Sequence, residues 1–166
     1  MALGARLGIV ERAIPVLAPQ DITTTATNSV FVSMKNAVHA TFYVHFGSIT
    51  AASADQAITV TLTAATSSAT TSETAIAFNY RLSGAQATDT LGAITAATAS
   101  GMAIATTDDN KVLLIDVDPR VLDATASDAA FVSVRVAPDA GASATLVSAI
   151  CVVEQAYGQL TPLSAS

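Results

Sequence analysis

The feature that most constrains this chain is a period of two. In "QAITVTLTAA", residues 56–65, Ile58, Val60 and Leu62 point one way and Thr59, Thr61 and Thr63 the other. Side chains alternate across an extended strand, whereas a helix groups positions three or four apart. "HATFYVHFGSI" places Phe42, Val44 and Phe46 opposite Thr41, Tyr43 and His45. "TAIAFNYRL" sets Ile76, Phe78, Tyr80 and Leu82 against Ala77, Asn79 and Arg81. Threonine suits such segments because its branched carbon fits the pleat while its hydroxyl meets water.

Later stretches continue the theme. "KVLLIDV", residues 111–117, is apolar on both faces and reads as a central strand. "AAFVSVRVA", residues 129–137, sets Val132, Val134 and Val136 against Phe131, Ser133 and Arg135. "ATLVSAICVVE", residues 144–154, carries Leu146, Ile150 and Val152 on one side. A shorter strand is expected in "SVFVSMK", residues 29–35, with weaker candidates at Leu91–Thr95 and Met102–Thr106. Ser-, Thr-, Asp- and Gly-rich turns separate these segments. The single helical signal is "VDPRVLD", where Asp118 can cap a short turn opened by Pro119.

About seven to nine short strands at this spacing predict an all-β fold, an antiparallel β-sandwich or jelly-roll-like single domain. Alanine and threonine make up about a third of the chain. Alanine favours helix, but no 3.6-residue apolar stripe accompanies it. Residues 1–27, with Pro15 and Pro19, lack sustained periodicity and read as an extended N-terminal arm. Residues 28–156 form the expected sandwich, and residues 157–166 a C-terminal tail.

Composition narrows the function. Charged residues are only 12% of the chain, against about 25% in ordinary globular proteins. So little charge implies a surface covered by association. The net charge of −6 and seven scattered basic residues argue against nucleic acid as a partner. Mean hydropathy is +0.52, yet no uninterrupted apolar run reaches the ~18 residues of a membrane-spanning helix, so no membrane partner is expected. Arg6, Glu11 and Arg12 interrupt any leader-like apolar stretch, which predicts assembly inside a cell. The lone Cys151 sits in an apolar run and reads as a buried small hydrophobe.

Candidate chemistry is sparse. His39 and His45 share a strand face, but six residues at ~3.3 Å each separate them by roughly 20 Å, too far for one metal ion. Together with Tyr43 they read as an interaction face. "TTDDNK" offers oxygen ligands at Asp108, Asp109 and Asn110 without calcium-loop spacing. Asp116, Asp118 and Asp123 are explained by the capped turn. No G-x-S-x-G elbow or glycine-rich phosphate loop occurs, so neither enzymatic activity nor a cofactor is expected.

"VFVSMKNAVHATFYVHFGSITAASADQAITVTLTAAT" resembles virion structural proteins of tailed bacteriophages, in which a "VSxKNxxHxTFxxxxG" strand precedes an acidic turn and a Thr-alternating strand. The resemblance continues through "AIAFNYRLSGAQATDTLGAIT" and "DDNKVLLIDVDPRVLDATASDAAFVSVRV" to "CVVEQAYGQL", covering about residues 28–160. It implies a capsid decoration or cement protein on the outside of the virion, assembled in the host cytoplasm. Its partners would be the major capsid protein and further copies of itself, as a homotrimer at three-fold positions. It supplies no active-site residues. The alternatives are a head-fibre, neck or tail protein binding the host surface, or a bacterial surface domain. The absence of Trp and the presence of only three Tyr weigh against a glycan platform. The expected arm contacts are Arg6 and Arg12 at the rim and Ile9, Val10, Ile14 and Leu17 as apolar anchors. Deleting residues 2–20 is expected to leave a folded trimer that binds capsids weakly.

Overall fold

The computed structural model describes residues 11–23, 25–51, 58–69, 73–125, 128–139 and 142–156. Among these residues twelve strands follow one another: β1 (Glu11–Asp21), β2 (Thr27–Asn28), β3 (Val32–Ser33), β4 (Ala37–Ala51), β5 (Ile58–Ala65), β6 (Glu73–Ile76), β7 (Phe78–Leu82), β8 (Thr95–Ala97), β9 (Met102–Ile104), β10 (Val112–Val117), β11 (Phe131–Pro138) and β12 (Ala142–Gln155). A 3₁₀ turn, Thr106–Asp108, precedes β10, and a short helix α1, Pro119–Thr125, follows it. The first sheet runs β1-β12-β4-β10-β7-β8. The second runs β2-β11-β5-β6, with β3 also on β11 and β9 also on β5. Every pairing is antiparallel. The chain is therefore an all-β sandwich, and most connections carry it from one sheet to the other, as in jelly-roll winding.

The core lies between the sheets and is made by the alternation. Phe42, Val44 and Phe46 of β4, Ile58 and Val60 of β5, Leu113 and Ile115 of β10, and Val132 and Val136 of β11 are all fully buried. β10 is central, flanked by β4 and β7. α1 is longer than a single turn, and its Leu122 is buried in the same core. Its start is capped as expected: the Arg120 N–H donates to Asp118 Oδ1 at 2.9 Å. Gly101, at φ +90°, makes the turn into β9, where a Cβ would lie 2.4 Å from the Val60 carbonyl oxygen. Only glycine fits there.

Three local readings change. Residues 11–21 belong to the sandwich and not to an arm: β1 is the edge strand of the first sheet, paired with β12 from Glu11↔Glu154 to Asp21↔Leu146. Pro15 and Pro19 hide it in the sequence, because a proline normally speaks against a strand, yet an edge strand tolerates the missing donor. A register shift between Pro15 and Leu17 also breaks the alternation and turns both Val16 and Leu17 inward. A deletion of residues 2–20 would thus remove most of a sheet strand. Second, "TAIAFNYRL" is two strands: β6 lies in the second sheet and β7 in the first, with the crossing at Ala77. Third, only Val32–Ser33 of "SVFVSMK" is strand; Val30, between β2 and β3, donates its N–H to the Val16 carbonyl at 2.8 Å and so ties the second sheet to the edge of the first. The C-terminal tail, residues 157–166, lies outside the described residues.

Candidate interaction face

The residues singled out in the sequence fall into three groups. Arg6, Ile9 and Val10 lie outside the described residues. Arg12 and Ile14 are half-buried in β1, where Ile14 packs against the core, and Leu17 is buried within it. Leu17 is therefore a core residue of this chain and not an apolar anchor for a partner. His39, Tyr43 and His45 occupy the outward positions of β4, as their parity with buried Phe42, Val44 and Phe46 requires.

The register shows what surrounds them. Tyr43 stands opposite Ile150 of β12 on one side and Leu114 of β10 on the other. Ile150 in turn faces Pro15 of β1, and Leu114 faces Arg81 of β7. One row across the outer face thus reads Pro15, Ile150, Tyr43, Leu114, Arg81. The row beside it reads Ala13, Val152, Thr41, Asp116, Asn79. On the far side, Ser148, His45 and Val112 form a third row. This strip brings the apolar Pro15, Ile150, Tyr43, Leu114, Val152 and Val112 together among the polar Thr41, Asp116, Asn79, Arg81, His45 and Ser148.

The strip was only half visible in the sequence. Alternation places Leu146, Ile150 and Val152 on one side of β12 but does not say which side is buried. The inward side is Val147, Ala149, Cys151 and Val153, while Leu146 stays 52% and Ile150 45% exposed. Ala149 stands opposite Val44 and Cys151 opposite Phe42, both buried, and the larger Leu146 and Ile150 take the outward positions. The usable signal was that both β10 and β12 are apolar on both faces.

Beside this strip the outer surface has a hollow of about 240 Å³, lined by Pro19, Gln20, His45, Gly47, Leu146, Val147 and Ser148. It exists because position 47 has no side chain: a Cβ there would lie 3.0 Å from Leu146 Cβ. A second hollow of about 430 Å³ lies where α1 meets the sheets, lined by His39, Phe78, Asp116, Asp118, Leu122 and neighbours.

The polar groups hold local structure. Asp108 accepts the Ala105 N–H at 3.0 Å through Oδ2 and pairs with Lys111 Nζ at 2.7 Å through Oδ1. Asp109 Oδ1 accepts the Ile49 N–H at 2.7 Å. Asp116 Oδ1 accepts the Thr41 hydroxyl at 3.1 Å and lies 3.7 Å from His39 Nε2. Arg120 grips Asp118, with Nη2 and Oδ2 2.6 Å apart, and these hydrogen bonds hold the Asp118 carboxyl down at about 2. Burial pushes the Cys151 thiol up to about 12, so it stays protonated and apolar in the folded chain. Among the described residues no group of three or more His, Cys, Asp or Glu is placed to hold a metal ion. Among them, too, no helix is long and apolar enough to cross a membrane.

No family model matches the chain, and no curated protein does. Among solved structures it is similar to one of infectious bursal disease virus, Gt strain, at 8% identity and a TM-score of 0.24, covering 92% of this chain and 44% of that one. A structure of the Gx strain gives 8% identity and a TM-score of 0.21, covering 93% and 45% respectively. The chain thus spans less than half the length of the solved chains it matches.

Proposed function

We propose that this chain is a non-enzymatic structural protein of a virus particle, of the kind its sequence resembles in tailed bacteriophages. In this reading it decorates and cements the outside of the capsid, as a homotrimer at three-fold positions, with the major capsid protein as its other partner. The observation that carries the reading is the outer face of the first sheet. Tyr43, Leu114, Ile150 and Val152 sit side by side on a rigid twisted surface, and the chain has few charges to keep such a surface soluble alone. A protein that works by adhesion needs this combination. Asp108, Asp109 and Asp118 serve as turn and cap chemistry, and Asp116 accepts the Thr41 hydroxyl between neighbouring strands.

The test is binding to shells. The purified chain, added to capsid shells assembled without it, is expected to cosediment saturably and to raise the temperature at which the shells open. Ile150→Lys is expected to abolish both effects while leaving the circular dichroism spectrum unchanged. Gold-labelled antibody against the chain should decorate the shell. Labelling confined to the neck or tail would contradict the capsid reading.

A further inference from the structure

β4 carries the chain's two histidines on one outward face, and their surroundings differ. His39 stands among carboxylates. Its Nε2 lies 3.7 Å from Asp116 Oδ1. Glu154 of β12 is its cross-strand partner, and Glu11 of β1 is in turn the partner of Glu154. Asp118, gripped by Arg120, follows β10 at the same end. A proton added to His39 therefore meets negative charge already in place.

His45 has no carboxylate opposite it. Its cross-strand partners are Ser148 of β12 and Val112 of β10. Tyr43 and Gly47 flank it on β4, and Pro19, Gln20 and Leu146 share the 240 Å³ hollow with it. The charged groups of the surrounding elements are held by other partners. Asp21 Oδ1, on β1, accepts the Thr145 N–H at 2.8 Å, and Asp109 Oδ1, ahead of β10, accepts the Ile49 N–H at 2.7 Å. Asp108 and Lys111 pair with each other at 2.7 Å. Arg81, on β7 beyond β10, donates to the Gly92 carbonyl at 2.9 Å. The His45 imidazole itself is exposed, one row from Ile150, Tyr43 and Leu114 on the apolar strip.

Histidine is the side chain that gains a proton between about pH 8 and pH 5. On an open surface a charged imidazole keeps its hydration. Covered by a partner it loses that hydration, and an unpaired buried charge is costly. The neutral ring, with its apolar body, is covered at far smaller cost. We infer that His45 makes adhesion of the first sheet's outer face acid-labile: the neutral imidazole is covered when the chain docks on a capsid shell, and its protonation releases the chain. The inference rests on the adhesive role proposed above and adds its regulation. The sign follows from linkage. The docked chain holds His45 neutral and so binds fewer protons than the free chain, and acid favours the state that binds more. His39 is not the switch, because Asp116 and Glu154 offset its proton within the chain.

Cosedimentation of the full chain with capsid shells at two pH values, about 7.5 and 5.0, spans the histidine range and tests this. The wild type is expected to bind at the higher pH and to lose at least ~10-fold in affinity at the lower. For His45→Gln, neutral at both, the ratio of the two affinities is expected to be near one, which also separates His45 from any titration of the shell. His45→Lys carries a fixed charge and is expected to bind weakly at both. His39→Gln is expected to keep the wild-type ratio. Position 45 is exposed, and a retained circular dichroism spectrum at both pH values checks the fold. Acid release that persists in His45→Gln overturns the switch and leaves adhesion standing. So does tighter binding of the wild type in acid, the result if the shell presents a carboxylate to the imidazole. A wild type that fails to bind at the higher pH overturns adhesion and the switch together, so the two failures are distinguishable.

Discussion

The two sheets use one alternation rule but fill the positions between their core residues differently. In the second sheet the outward residues of β5 are Thr59, Thr61 and Thr63, and those of β11 include Ser133 and Arg135. Thr63 and Ser133 stand opposite each other with their hydroxyl oxygens 2.7 Å apart, buried yet paired. In the first sheet the corresponding rows carry Ile150, Tyr43 and Leu114. Inward, both sheets contribute buried Val, Ile and Leu, and the phenylalanines of the core, Phe42, Phe46 and Phe78, come from the first. The difference teaches that period two builds the sandwich, while the residues between the core positions decide which face meets water and which meets a neighbour.

The largest effect should come from the layer the sheets share. Phe42→Ala empties a fully buried site in β4 and is expected to cost about 3–5 kcal/mol in a denaturant titration, through lost transfer energy and the cavity left behind. A cost below about 1 kcal/mol would mean that β4 does not line the core. Next comes the hydroxyl pair of the second sheet. Thr63→Val strands the buried Ser133 hydroxyl, at an expected cost of about 1–3 kcal/mol. Adding Ser133→Ala should recover most of it, and a double variant no better than the single would break the assigned pairing.

Making the first sheet's face resemble the second's separates folding from association. Ile150→Thr is expected to change stability by no more than about 0.5 kcal/mol, while weakening binding to shells by at least about tenfold. Equal shell binding would remove Ile150 from the face. The neighbouring residue gives the inward counterpart. The Cys151 thiol is expected to resist thiol reagents at pH 8 and to react only on unfolding. Its folded value is raised from 9.0 to about 12 by burial. The stability it carries is therefore complete below about pH 9 and drains away as pH rises toward 12, because only the unfolded thiol ionises there. The smallest effect is at Asp118. Its folded value, lowered from 3.8 to about 2 by hydrogen bonds from Arg120, contributes stability above about pH 3.8 that is lost as pH falls through 2. Asp118→Asn should flatten that acid limb slightly.

Much of the sandwich was legible because strand after strand buries one parity and exposes the other. β4, β5 and β11 have the inward residues that alternation alone assigns, whereas β10, apolar on both faces, does not announce that Leu113 and Ile115 point inward. β1 was illegible because its prolines are tolerated at an edge whose position the sequence does not state. The change of sheet at Ala77 was hidden because alternation continues unbroken through it. Tyr43 and His45 were readable as outward neighbours of buried aromatics. Leu146 and Ile150 were not, since β12 is apolar on both sides and only packing against Phe42 and Phe46 decides that the smaller residues go in.

Hydroxyl-radical footprinting of the shell-bound protein, compared with the same protein free in solution, puts the central claim to the most direct test. Shell binding is expected to protect Leu114, Leu146 and Ile150 on the first sheet's outer face severalfold while leaving Val30 and Phe131, on the second sheet's side, labelled as before. Equal labelling of the first face in both states, or protection confined to the second sheet, would contradict the account.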